Sequence, residues 1–321
     1  MLNKILNSRF SHLIFSFLSF SLLFAVFFYA RTLVENSSPA LFVFFGAAFL
    51  TVGAMYVIYG FSKLKLHRTA YLTIGFIGII CSYFAAQPMV KRAETMRKNA
   101  GICAQTLKIT ASIASTGAEQ VNLNAIKFRN ELYSSVSEFI GENIKEPVLF
   151  IFLLALSQLL LASGIGLWIG NGIDKISHLI PVALVAAIAD IWSVAAGATS
   201  AIVVSPIMNY FFLRFPVFGS SSIPYLIGLT DYLFFGIFFQ ASVRYNLGVV
   251  KNTFLLALSF LVTVAFALFY GLGLPVLPFM GLFFVLGNLK LLKIDKEDKK
   301  EILLFMLAIG LVFTLITFFM K

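Results

Sequence analysis

Charge is scarce in this sequence: only 12% of its 321 residues are Asp, Glu, Lys or Arg, while 60% are hydrophobic. An ordinary soluble domain carries about 25% charged residues, so a water-soluble fold is excluded. Cysteine and histidine are also rare, with two of the former, Cys81 and Cys103, and three of the latter, His12, His67 and His178. Two cysteines so placed build neither a disulfide framework nor a thiolate metal site. The histidines stand at the edges of apolar runs, without the His-Glu-x-x-His spacing of a membrane zinc protease. A membrane serine protease is excluded on similar grounds. The LASGIG stretch around Ser163 lacks the preceding Gly, and no apolar run holds a central His. The formal charge of +10 does not point to nucleic acid either, because the Lys and Arg residues separate hydrophobic runs instead of gathering on one face.

What the sequence does have is apolar runs of membrane length. Runs of about 20 residues match a hydrocarbon core ~30 Å thick, whereas barrel strands would alternate in ten-residue segments. Spans are expected near residues 10–30, 40–61, 69–88, 147–170, 177–204, 223–243, 252–271, 274–290 and 301–320. The expected fold is therefore all-α, a polytopic transmembrane helix bundle of about nine spans. It divides into an N-terminal three-span region (1–88), a polar loop (89–146), a helix bundle that carries the chemistry (147–292), and a loop with a final span (293–321). The first run follows Lys4 and Arg9 and has no small-x-small cleavage site, which makes it an uncleaved signal anchor.

Basic residues set the expected orientation. With the N-terminus inside and the C-terminus outside, thirteen Lys and Arg residues fall in inner segments and three, Arg31, Arg214 and Lys321, in short outer ones. The 89–146 loop then lies outside, where KRAETMRKNAGICAQTLKI and LNAIKFRNELYSSVSEFI suit two amphipathic helices. The stretch at 205–222, broken by Pro206, Arg214, Pro216 and Gly219, reads as a re-entrant or interfacial loop, or equally as a plain connector. The 37 Phe residues supply lipid-facing and packing surface, Gly164, Gly166 and Gly170 suit close helix packing, and Ser193 and Gln240 suit hydrogen bonds between helices.

Of the fourteen acidic residues, only Asp190 and Asp231 lie well inside apolar runs. An acid near the bilayer centre costs roughly 2.5–3.5 kcal/mol, and such residues face a partner or a watery interior. At about 1.5 Å per helical residue both fall roughly 18 Å from the inner ends of neighbouring antiparallel spans, where their carboxyl groups can meet. Two carboxylates that close in a low dielectric share one proton. One then serves as base toward a water that attacks a peptide carbonyl, and the other as acid toward the carbonyl oxygen and the leaving amine. This chemistry needs no metal and no cofactor.

Three motifs resemble those of the presenilin and signal peptide peptidase family of intramembrane aspartyl proteases. AIADIWSV holds Asp190, GLTDYLFFG holds Asp231, and GLPVLPF at 273–279 is similar to the family's Pro-Ala-Leu segment. Ala189 stands where the family has Tyr, Thr230 where it has the second Gly of Gly-x-Gly-Asp, and Val276 where it has Ala. Over residues 177–292 the resemblance implies a presenilin-like catalytic half with Asp190 and Asp231 as the catalytic dyad. Gly228, Leu229 and Thr230 would border the second aspartate, and Pro275, Val276, Leu277 and Pro278 would shape the scissile region. It also implies single-span membrane proteins or signal-peptide-like segments as substrates, met in the lipid bilayer. Two other readings fit paired acids at mid-membrane: a proton-coupled secondary transporter, and a helix-binding relative that does not cut.

Overall fold

Long apolar runs with few breakers fold as long helices, and breakers set where the helices stop. The computed structural model describes residues 2–33, 40–114, 148–195, 207–216, 225–270 and 273–292, with a few isolated positions besides. Its helices are α1 (Leu2–Leu33), α2 (Ala40–Lys63), α3 (Arg68–Ala114), α4 (Val148–Gly172), α5 (Leu179–Ala195), α6 (Met208–Phe211), α7 (Leu229–Arg244), α8 (Val249–Tyr270) and α9 (Val276–Asn288). Between α6 and α7 run two short strands, β1 (Phe212–Phe215) and β2 (Tyr225–Gly228). Among the described residues six helical segments are long and apolar enough to cross a membrane: Arg9–Tyr29, Val43–Lys63, Arg68–Lys91, Leu149–Gly172, Ile176–Val194 and Val249–Tyr270. The protein is a multi-pass integral membrane protein with a helical-bundle fold.

Two expected spans come out short, for identifiable reasons. The run at 223–243 is not one helix: its first part is β2, and α7 has only 16 residues. The run at 274–290 yields the 13-residue α9, because Pro275 is extended (φ −66°, ψ 138°) and the helix begins only after it. The expected final span at 301–320 lies almost wholly outside the described residues.

The polar loop also differs from expectation. Helix α3 does not end near residue 88 but runs through Pro88 to Ala114, a single helix of 47 residues. Good helix formers in KRAETMRKNA keep it going once it leaves the apolar stretch. The second amphipathic stretch of that loop lies outside the described residues. The 205–222 connector is neither plain nor fully coiled, since it contains α6 and β1.

Helix α4 stands at the centre, with α3 on one side and α7 on the other. Glycines make both contacts possible. A β-carbon on Gly164 would run into the backbone of Gly75, one on Gly166 would lie 2.6 Å from the Leu233 carbonyl, and one on Gly170 would lie 2.8 Å from that of Ile237. With lipid as apolar as Leu, close backbone approach of this kind is what holds membrane helices together. Ser82 adds a 3.1 Å hydrogen bond to Ser157 across the α3–α4 seam. Phenylalanine divides as expected between packing and lipid: Phe20, Phe24, Phe235, Phe238, Phe239, Phe260 and Phe284 are buried, while Phe15, Phe49, Phe84 and Phe254 face outward.

Candidate active site

The chain departs from helix where it passes from α6 to α7, and the two strands account for the backbone there. Phe212 pairs with Gly228, Leu213 with Ile227, Arg214 with Leu226 and Phe215 with Tyr225 in an antiparallel hairpin. The two-residue period of a strand gives the hairpin two faces. Leu213, Phe215 and Ile227 are buried in the core, with the Phe215 ring 6.1 Å from that of Phe20 and 6.4 Å from that of Tyr232. Phe212, Leu226 and Gly228, and Ile227 with them, border a cavity of about 500 Å³.

That cavity lies among α5, the hairpin, α7, α8 and α9, and it contains the acids singled out from the sequence. Asp190 and Asp231 both line it, with Gly228, Thr230, Pro275, Val276 and Leu277. The carboxylates stand within range of each other's charge. Most of the remaining wall is apolar. Val194 on α5 and Phe211 on α6 belong to the wall and are 40% and 48% exposed.

Each carboxylate sits at the start of a helix. Asp231 is in the first turn of α7, at the third helical position, and is only 8% exposed. From there it reaches back to the backbone N–H of Gly228, the residue that caps the helix. That is the position an acid takes in a capping box. Asp190 belongs to α5 but serves α9: its Oδ2 accepts the Leu277 N–H at 2.9 Å, and the Val276 N–H also faces it. Pro275 has no side-chain donor or acceptor to cap α9, so Asp190 does this from a neighbouring helix.

The magnitudes bear on how an acid is held among apolar helices. A hydrogen bond to a charged group contributes about 1.5–3 kcal/mol, and a helix N-terminus adds roughly 0.3–1 kcal/mol for a nearby anion. Together these approach the roughly 2.5–3.5 kcal/mol cost of an acid at the membrane centre. In α5, Asp190 is eleven residues past Leu179, about 17 Å along the axis. In α7, Asp231 is thirteen residues before Arg244, about 20 Å, a similar distance from the opposite end of its helix. What differs is that Asp231 begins its helix instead of standing in the middle of one.

Not every expected site residue reaches the cavity. Leu229 packs against the hydrophobic core, and Pro278 is absent from the cavity wall; as the third residue of α9 it removes one N–H from the first turn. Ser193 lines the cavity, whereas Gln240 is engaged elsewhere, donating to Asn171 Oδ1 at 2.6 Å to join α7 to α4. Gln158 was not singled out from the sequence. It is fully buried in α4, and its Nε2 donates to the Asn209 carbonyl at 2.9 Å and the Phe212 carbonyl at 3.3 Å. These contacts anchor the start of β1, the strand that pairs with Gly228. A lone amide inside the apolar run FIFLLALSQLLLA was the available signal, of the same kind that marks the two acids.

The cavity therefore unites two carboxylates, two helix N-termini and a strand pair within a mostly apolar wall. Compared with protein families, with curated proteins and with solved structures, the chain finds no match.

Proposed function

We propose that the protein is a presenilin-like intramembrane aspartyl protease that hydrolyses peptide bonds in membrane-spanning segments of other proteins. The observation that carries this reading is that Asp190 and Asp231, the only acids inside apolar runs, come from different helices and border one cavity. With one proton between them, one carboxylate takes a proton from water as its oxygen attacks the peptide carbonyl carbon. The other gives its proton to the carbonyl oxygen. Collapse of the tetrahedral intermediate breaks the C–N bond, and the amine leaves with the proton returned to it.

The surroundings support the same chemistry. Peptide bonds of a helix are shielded by their own hydrogen bonds, so a substrate helix must unwind before it is cut. An unwound segment then needs backbone partners, because lipid supplies none. The hairpin borders the cavity through Phe212, Leu226 and Gly228 and gives an extended peptide a place to add as a further strand. Val194 and Phe211 of the wall are partly exposed apolar residues, which suits a substrate arriving from within the bilayer. The orientation with the N-terminus inside belongs to this proposal and rests on the distribution of basic residues.

One feature favours a second reading, a proton-coupled transporter. Acids at helix N-termini, where the backbone breaks at membrane depth, also occur in ion-coupled carriers. Reconstitution separates the two. Purified protein in liposomes with a single-span peptide should release two fragments, and Asp231→Asn should release none. Equal cutting by that variant rules out the dyad, and proton-linked solute uptake without cutting favours the transporter.

A further inference from the structure

Three side-chain hydroxyls share the cavity with the aspartates: Ser193, Thr230 and Thr263. Two are already occupied. Thr263 hydrogen-bonds its own helix, with the Ser259 carbonyl at 3.2 Å and the Phe260 carbonyl at 2.9 Å. Ser193 likewise has an interaction partner. Thr230 differs from both. It is exposed where Asp231 beside it is buried, and among the described residues nothing hydrogen-bonds its hydroxyl.

Its position follows from the way α7 begins. Thr230 is the second residue of that helix and Asp231 the third. The point where a β-carbon on Gly228 would stand lies 3.0 Å from Asp231 Oδ2 and 3.4 Å from Thr230 Oγ1. The hydroxyl and the carboxylate therefore converge over the bare face of the same glycine. A peptide opened in this cavity presents carbonyls that have lost their helix partners, in a wall with few donors.

We propose that the Thr230 hydroxyl donates a hydrogen bond to a backbone carbonyl of the bound peptide beside the bond that the aspartates attack, and so fixes which bond is cut. This rests on the protease reading. Thr230 is thus a substrate-positioning residue, and Asp190 and Asp231 remain the reacting groups. Its methyl and hydroxyl also occupy space directly beside Asp231, limiting how far the peptide can slide.

The test uses the full chain in liposomes and a synthetic single-span peptide of about 25 residues, rich in Leu and Ala with polar ends. Rate and cut position are read together by mass spectrometry. Thr230→Val keeps the shape and loses the hydroxyl; it should lower kcat/KM about tenfold, the worth of one hydrogen bond, and spread the cut over neighbouring bonds. Thr230→Ser keeps the hydroxyl and should cut at the wild-type position. Valine cutting at the wild-type rate and place overturns the proposal while leaving the protease reading intact. So does an equal loss in the Val and Ser variants with unchanged melting temperature. If wild type cuts nothing, or Asp231→Asn cuts equally, both readings fall. Should the Val variant not fold, Thr230→Ala carries the same comparison.

Discussion

The α3–α4–α7 seam and the cavity beside it lie in the same bundle and treat the backbone in opposite ways. Along the seam, Gly75, Gly164, Gly166 and Gly170 bring continuous helices into backbone contact. At the cavity, Pro275, the hairpin and the short α7 interrupt the helices, and the Asp190 carboxylate takes up an N–H left over at one break. The difference teaches that in lipid an opening needs its own satisfied polar groups, while a closed seam needs only small side chains. Substitutions at the two places should fail in different ways.

The largest effect belongs to the seam. Gly164→Val drives a branched side chain into the Gly75 backbone, and overpacking of this kind costs typically about 1–3 kcal/mol or more. The expected result is little folded protein in detergent, read by size-exclusion profile and thermal unfolding; a melt like wild type would mean that α3 and α4 are not held by this contact. Gln158→Leu comes next, since it strips a buried donor from two carbonyls of the irregular chain. A loss of about 1–3 kcal/mol in stability is expected, with the opening localised by hydrogen exchange to residues 207–216. Protection there equal to wild type would contradict the anchoring role.

At the cavity the fold should survive while function goes. Asp190→Asn keeps an oxygen that can accept the Leu277 N–H, and Asp190→Ala does not. Both should end cleavage, but only the Ala variant should lose about 1–2 kcal/mol from uncapping α9. If Asn and Ala melt alike, the capping role is wrong even though the dyad stands. The smallest structural change is Gly228→Ala. A β-carbon 3.0 Å from Asp231 Oδ2 forces that carboxylate aside by a few tenths of an ångström. Cleavage should drop about tenfold with an unchanged melting temperature, in keeping with the sensitivity of catalysis to misplacement. Full activity in this variant would show that the carboxylate has room to spare.

Much of the site was legible because a charged group in an apolar run has no ordinary place. That rule isolated Asp190 and Asp231, and the prolines of GLPVLPF marked a helix start that the structure places at Val276. Gln158 obeys the same rule in weaker form and was passed over, because an uncharged amide interrupts hydropathy less than a carboxylate. The hairpin was not legible. YLIG and the start of GLTDYLFFG are as apolar as the helix they precede, and four-residue strands have no periodicity long enough to separate them from a helical run. Likewise Leu229 was expected at the site by its motif position, yet one residue's rotation on a helix turns it toward the core.

Sequence by itself determined that this chain crosses a membrane as helices, where most of those helices lie, and that two acids among them require a shared polar setting. Composition settles these points, since the solvation of each side chain in lipid or water depends only on its own chemistry. Tertiary structure alone decided that α5 lends its aspartate to cap α9, that β1 lies across from Gly228, and that Thr230 faces open space where Leu229 does not. Each of these joins residues far apart in the chain or distinguishes adjacent ones by direction, and neither distance nor direction in space is fixed by local preference.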